Sequence, residues 1–309
     1  MAEPMRIYYR ASSHVPLWKV MEQGGFMENH GLTMDFGSME GMRGKAMQGL
    51  REGEIDIVSG NHHNLYVRRA LHGEPFVHVG QSNNKWRENC LVTGTGINTL
   101  QDLKGKRVMM DDFDGHTGLN VWLFLKLNGL EEGRDVEFVE GPKNGLDRVR
   151  AVMAGEYDAT FIRVVDQMRA RAIGARLLPV DSMDMIEGVT LTTTTTYVNS
   201  HPEEIRALLL ALVDGIHFFK TRRDATMKII KEHCGDKYDS DEEIAAYYED
   251  QVSSLEPKPY PTLDAVRNVF ALAVKRHPDV ASFNPLAMWD LHHLREIDDS
   301  GYIDKLWAE

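Results

Sequence analysis

The segment Gly53-Glu54-Ile55-Asp56-Ile57-Val58-Ser59-Gly60 returns as Gly155-Glu156-Tyr157-Asp158-Ala159-Thr160-Phe161. Each copy follows an amphipathic stretch. In each, Gly-Glu closes a helix and Asp opens a short apolar run. Glycine suits the left-handed turn at a helix C-terminus, and a run of this length fits a buried strand. Upstream, Gly31-Leu32-Thr33-Met34-Asp35-Phe36 is echoed by Gly129-Leu130 and then Asp135-Val136-Glu137-Phe138. Each copy reads strand, helix, Gly-Leu, strand, helix, Gly-Glu-x-Asp, strand. A unit repeated once predicts two similar α/β lobes. It argues against a solenoid, which needs at least about three repeats.

That organisation says where a ligand belongs. In open α/β sheets, ligands bind beyond the carboxyl ends of the strands. Two Rossmann-like lobes joined by hinge strands near residues 93 and 190 would form a hinged cleft lined by strand-end loops. We expect residues 1–93 and 190–309 to make lobe 1 and residues 94–189 to make lobe 2. The remainder beyond about residue 202 reads as helices broken at Gly235, Pro257-Lys258-Pro259 and Pro278, and is expected to pack on lobe 1.

Composition narrows the function classes. A net charge of −12 argues against a general nucleic-acid binder. No apolar run approaches the roughly 20 residues that span a bilayer, so no membrane insertion is expected. Two cysteines, Cys90 and Cys234, imply no disulfide framework. Met1-Ala2-Glu3-Pro4 runs directly into the strand Ile7 to Tyr9, without a basic region and an apolar core ahead of it. The chain as written reads as cytoplasmic, or as periplasmic if a signal has been removed.

Local patterns place the remaining elements. Pro16 starts a helix and Gly24-Gly25 ends it. Phe76 to Val79 is a strand, and the polar run Gln81 to Trp86 reads as a turn. Cys90 to Val92 is a strand, with the first crossing between lobes near Gly94 to Gly96. Val108 to Met110, Val136 to Val139 and Ala159 to Ile162 are core strands of the second lobe. Leu177 to Val180 is an edge or hinge strand. The β-branched run from Thr190 to Val198 is expected to stay extended as the return strand. His292 and His293 are expected at the surface.

Several of these segments together resemble a known superfamily. They are the Pro-started helix followed by Gly25-Phe26-Met27, then Gly31-Leu32-Thr33-Met34-Asp35-Phe36 and Gly53 to Ile57. Leu100-Gln101-Asp102-Leu103-Lys104-Gly105-Lys106-Arg107-Val108, Asp114-Gly115-His116-Thr117 and Tyr197-Val198-Asn199-Ser200-His201-Pro202-Glu203-Glu204-Ile205 complete the set. The chain resembles the type II periplasmic-binding-protein fold, in the branch of sulfonate/taurine-binding and THI5/NMT1-like proteins. The resemblance covers most of the chain and is weakest after about residue 235. It implies a solute-binding protein, or an enzyme that kept the cleft. Fold alone does not choose between these.

Four strand-end loops supply the candidate site. The first holds Ser12, Ser13 and His14; the serine hydroxyls serve either an oxyanion or the N-cap of the following helix. Desulfinase-like relatives carry a cysteine nucleophile near Ser12. This chain has none there, so that chemistry is not carried over. The second loop holds Asn61, His62 and His63. Imidazole at a strand end can accept a proton, ligate a metal or, when charged, bind an anion. Pyrimidine-synthase-like relatives place a histidine close to His63 and carry a cysteine-rich stretch. Here Thr192 to Thr196 stands in its place, which argues against that synthesis.

The third loop holds Asp111, Gly115, His116 and Thr117 at a helix N-terminus, which favours an anion. Its acids, which include Asp112 and Asp114, instead fit a cationic or hydroxylated group, a metal, or plain turn chemistry. The fourth loop holds Arg163 and Asp166. Arginine there clamps a carboxylate or sulfonate with paired hydrogen bonds, or forms a salt bridge with Asp166 or another acid. Trp86, with Tyr8 and Phe113, offers an aromatic wall.

The leading expectation is a small acidic or aromatic organic ligand, bound without a cofactor. A metal at the histidine cluster is not favoured, because no ligand pair has diagnostic spacing. An ABC permease is the partner if the chain is exported. The alternative is a cytoplasmic lyase or hydrolase, desulfinase- or decarboxylase-like, with His62, His63 and His116 as candidate general acids or bases.

Overall fold

The computed structural model describes residues 3–9, 11–38, 45–60 and 63–308. The chain divides into two units. The first comprises Met1–Asn84, Met185–Ala273 and His277–Glu309, and the second Lys85–Asp184 with Val274–Arg276.

In the first unit, strands β1 (Met5–Tyr9), β2 (Met34–Ser38), β3 (Ile57–Ser59), β4 (Phe76–Lys85) and β10 (Asp184–Thr194) form one sheet in the order β2-β1-β3-β10-β4. β1 runs parallel to β2 and β3, and β10 returns antiparallel to β3. Helices α1 (Val15–Gln23), α2 (Phe26–Asn29), α3 (Lys45–Glu52) and α4 (His63–His72) connect the early strands. In α1, Leu17, Trp18, Val20 and Met21 are buried.

The second unit repeats the plan. Strands β5 (Cys90–Thr93), β6 (Lys106–Met110), β7 (Val136–Glu140), β8 (Ala159–Ile162) and β9 (Leu177–Pro179) order as β7-β6-β8-β5-β9. β6 is parallel to β7 and β8, and β5 is antiparallel to β8 and β9. Helices α5 (His116–Leu127), α6 (Gly145–Met153) and α7 (Val164–Ala172) complete it. Each sheet thus has three parallel strands, with the first in sequence at their centre, flanked by an antiparallel strand that arrives from elsewhere in the chain.

The repeated sequence has a repeated structural job. Gly53 and Gly155 both take positive φ, at 71° and 77°. The aspartate three residues on folds back over the central strand. Asp56 N–H donates to Arg6 O at 3.0 Å, and its Oδ2 accepts from Arg6 N–H at 2.8 Å. Asp158 makes the same exchange with Arg107, at 3.0 and 2.8 Å. The Gly-Leu echo is equally exact in role: Leu32 N–H donates to Met27 O, and Leu130 N–H to Leu125 O, both at 2.9 Å. Each helix end is closed by a backward bond that releases the chain into a strand.

The helical remainder is α8 (Thr195–Ser200), α9 (Pro202–Thr221), α10 (Arg223–Cys234), α11 (Asp241–Ser254), α12 (Leu263–Arg276), α13 (His292–Asp299) and α14 (Tyr302–Ala308). Except for the last turn of α12, all of it belongs to the first unit. Helix α9 carries the buried row Ile205, Leu208, Leu209, Leu212 and Ile216. Asp214 on its other side accepts from Tyr302 Oη and pairs with His30 Nε2, both at 2.7 Å. Among the described residues, no helix is long and apolar enough to cross a membrane.

Four local expectations need correction. Gln81 to Lys85 is strand, not turn, and the side chains of Gln81, Ser82 and Asn84 find partners far away in sequence. Gln81 Nε2 donates to Glu187 O at 2.7 Å and its Oε1 accepts from Thr190 Oγ1 at 2.6 Å. Asn84 exchanges bonds with Tyr260 O and Thr262 N–H. The return strand and the C-terminal segment supply partners that no local reading can see.

The threonine run stops being strand at Thr194, whose side chain caps α8 by accepting from Tyr197 N–H at 3.1 Å. Capping by threonine outweighs its β preference at the strand end. β5 lies in the second sheet because it pairs with β8, so the second unit begins at Lys85 rather than after residue 93. His293 is buried, on the inner face of α13.

Candidate functional site

In the first unit, the carboxyl ends of β1 and β3 converge. After β1 the chain makes a single 3-10 turn, Ser12–His14, and enters α1 with Pro16 in its first turn. His14 is turned inward and 4% exposed. Its Nδ1 lies 3.2 Å from both the carbonyl and the hydroxyl of Ser59. Trp18 Nε1 donates to the same hydroxyl at 2.8 Å. Gly60 follows with φ +78°, and a Cβ added there would stand 2.0 Å from His14 Cε1. Here glycine is needed twice, for the backbone and for the imidazole laid against it. Gly60 N–H donates to Thr190 O at 2.8 Å, which ties the β3 tip to the return strand.

Ser12 and Ser13 are half-buried, and neither caps α1, whose N-cap is His14 with no side-chain bond. Tyr247 Oη donates to Ser13 O at 3.2 Å. His63 opens α4 and is buried. Asn61 and His62 lie outside the described residues.

In the second unit, the carboxyl ends of β6 and β8 and the segment leading into β5 meet. The loop after β6 is organised by its own acids. Asp112 Oδ1 accepts from Asp114 N–H at 2.8 Å, and Asp114 pairs with Arg276. Gly118 lets α5 press on this loop, since a Cβ there would lie 1.9 Å from Asp112 O. Helix α5 starts at His116 and Thr117, after Gly115, with no side-chain cap.

Asp111 differs from its neighbours. Its Oδ1 is buried without a hydrogen-bond partner. Burial raises its pKa, the positive charge of Arg148 opposes the rise, and the Glu88 carboxylate adds to it.

Arg163 is the N-cap residue of α7 and forms a salt bridge with an acid, Glu88. Its Nε donates to Glu88 Oε1 at 2.6 Å, and Glu88 is only 3% exposed. Asp166 is packed on the first residue of α6, where a Cβ on Gly145 would approach its Oδ2 to 2.3 Å. Arg148 reaches up from α6 and donates to Thr160 Oγ1 at 3.2 Å and to the carbonyls of Pro142 and Lys143 at 2.9 Å. Thr160 passes the chain on to Met109 O at 3.0 Å.

Trp86 is a correction to the aromatic wall. It is 1% exposed and sits in the second unit's core, with ring centroids 5.0 Å from Phe124 and 5.4 Å from Phe161.

Of the sequence-derived candidates, the structure gathers His14 with Ser59 and Gly60 in one unit. It gathers Asp111 and Arg163 around Glu88 and Arg148 in the other. Sequence reasoning missed Glu88 and Arg148. Glu88 is placed by topology: it precedes β5, which runs against its neighbours, so its start lies at their carboxyl ends. Arg148 sits on the inward face of an amphipathic helix, where arginine is rarely found without a reason. Among the described residues, no group of three or more His, Cys, Asp and Glu side chains is placed to hold a metal ion.

Residues 12–225 match the model of the family described as NMT1/THI5 like. No curated protein matches the chain in sequence. Among solved structures, the periplasmic aliphatic sulphonate binding protein SsuA from Escherichia coli is similar, with a TM-score of 0.68 at 16% identity. The match covers 93% of this chain and 91% of that one. The alkanesulfonate-binding protein SsuA from Xanthomonas axonopodis pv. citri, bound to MOPS, matches with a TM-score of 0.64 at 17% identity over 94% and 100%. The desulfurization enzyme DSZB matches with a TM-score of 0.64 at 15% identity over 96% and 99%. At these identities the likeness is one of fold, and the fold is that of periplasmic binding proteins.

Proposed function

Because the chain belongs to the NMT1/THI5-like family, we propose that it is a solute-binding protein for a small organic molecule. The observation that carries this reading is the match of residues 12–225 to the family. The polar groups at the strand carboxyl ends support it: His14, Ser59 and His63 in the first unit, and Glu88, Asp111 and Arg163 in the second. Strand ends are where open α/β sheets hold ligands. Ser12, Ser13, His116 and Thr117 belong to the same loops and are included in the proposed ligand-contacting set.

Delivery to an ABC permease is part of this proposal for an exported form of the chain. A permease and an ATPase encoded beside the gene support it, and neighbouring catabolic enzymes count against it. The catalytic alternative has one point of support, the likeness in fold to a desulfurization enzyme. Against it stands the commitment of Ser59, the serine in contact with His14. Ser59 is fully buried and already accepts from Trp18.

The test is a thermal-shift screen of sulfonates, aromatic acids and nitrogen heterocycles, with product analysis on every hit. A binder raises the melting temperature and returns its ligand unchanged. Turnover of a stabilising compound would replace this reading with the enzymatic one.

A further inference from the structure

The strand-end group of the second unit is built to accept hydrogen bonds rather than to hold an anion. Glu88 is 3% exposed and spends only one of its oxygens on Arg163. Its Oε2 is buried with no hydrogen-bond partner, and so is Asp111 Oδ1. Burying an acceptor without a donor is costly, and more so for a charged group. Native proteins keep such groups where something else completes them.

Arg148 is spent on Thr160 and on two backbone carbonyls, and Arg163 on Glu88. The sheet order β6-β8-β5 brings Asp111, Arg163 and Glu88 to one end. Asp111 lies close enough to Glu88 to feel its charge. What Glu88 Oε2 and Asp111 Oδ1 lack is a donor.

We propose that the group recognised by Glu88 and Asp111 is an N–H-bearing cation, an ammonium or amidinium on a small organic ligand, which donates to Glu88 Oε2 and Asp111 Oδ1. The inference rests on the reading of the protein as a small-molecule binder and specifies the ligand for it. It also separates this chain from a binder that holds only sulfonates. Two carboxylates of opposite exposure, one buried and pinned by Arg163 and one half-buried, would read the two N–H directions of an amidinium or two protons of an ammonium. A sulfonate or carboxylate carries no donor and would leave both acceptors unmet. Its own charge would then stand against theirs.

The experiment is calorimetry and thermal shift on the full chain with matched aromatic probes. Benzamidinium and benzylammonium carry the donor, and benzoate and benzenesulfonate carry the anion. The expected result is binding of a cationic probe. That binding weakens by at least about tenfold in both Asp111→Asn and Glu88→Gln, since each loses a charge-assisted bond. The exposed Glu137→Gln on β7 is expected to bind like the parent chain. Asp111→Asn keeps the shape of the side chain and leaves the Arg163–Glu88 pair intact, so it answers the question even if Glu88→Gln fails to fold. If only the anions bind, or if neither substitution weakens the cations, the donor inference is wrong while small-molecule binding stands. If no probe binds and native mass spectrometry of the protein from its own cells detects no bound small molecule, both readings fall.

Discussion

Removal of the Asp56 carboxylate is the sharpest test of how the internal repeat stabilises the fold. Asp56 Oδ2 accepts from Arg6 N–H at 2.8 Å and from Arg6 Nε at 3.0 Å, and Oδ1 accepts from Nη2 at 2.6 Å. The Asp56 side chain is 8% exposed, so in Asp56→Ala water cannot replace the bond to the Arg6 backbone N–H. That orphaned donor costs about 1–3 kcal/mol. The guanidinium half of the interaction adds less, because the Arg6 side chain is 41% exposed and solvent screens it. The expected total is about 2–3 kcal/mol.

Asp158 occupies the same place in the second unit but is 31% exposed, and Arg107 Nε is 3.9 Å away. The Arg107 guanidinium is turned instead to Glu156 O at 2.6 Å. Asp158→Ala therefore loses one bond that water can replace, about 1 kcal/mol or less. Because two units need not unfold together, the readout is amide hydrogen exchange resolved on peptides covering 53–60 and 155–162. Equal losses in the two units, or a larger loss for Asp158→Ala, would refute the argument that burial sets the cost of the shared motif.

Three further outcomes follow from the geometry. Gly60→Ala should destabilise the first unit by about 2–4 kcal/mol, from left-handed backbone strain and collision with His14. The pair His14→Ala/Gly60→Ala should cost less than the sum of its singles by chemical denaturation. Trp86→Ala should cost about 3–5 kcal/mol in the second unit, as loss of a core aromatic rather than a ligand contact. In the first unit, His78 is fully buried against Trp289 and Tyr66, with Nδ1 2.9 Å from Thr192 Oγ1, and burial pushes its pKa down to about 3. The unfolded chain therefore takes up a proton below its ordinary value of about 6.5 while the folded chain does not. Stability present above that pH is lost as pH falls, by about 1.4 kcal/mol per unit. Replacing His78 with Asn should flatten the urea midpoint between pH 6 and pH 4; an unchanged slope would show that His78 does not titrate on unfolding.

The sequence by itself determined the doubling. Gly53 and Gly155 need a left-handed turn, Asp56 and Asp158 need a backbone donor within reach, and the apolar run after each can only be a short buried strand. These are local requirements, satisfied within one strand-helix-strand unit, and they fixed the parallel core of both sheets. The strand-end loops were legible for the same reason, since a loop after a strand is at its carboxyl end whatever the rest of the chain does.

What only the tertiary structure decided depends on partners distant in sequence. The polar run from Gln81 to Asn84 is strand because Glu187, Thr190, Tyr260 and Thr262 meet it. Trp86 is core because Phe124 and Phe161 close around it. Arg163 meets Glu88 because the segment leading into the antiparallel β5 delivers it there. Propensity and periodicity report what a segment prefers alone. A hydrogen-bond partner a hundred residues away changes the free energy of a buried polar group by more than any local preference does, and that partner is set only when the sheet closes.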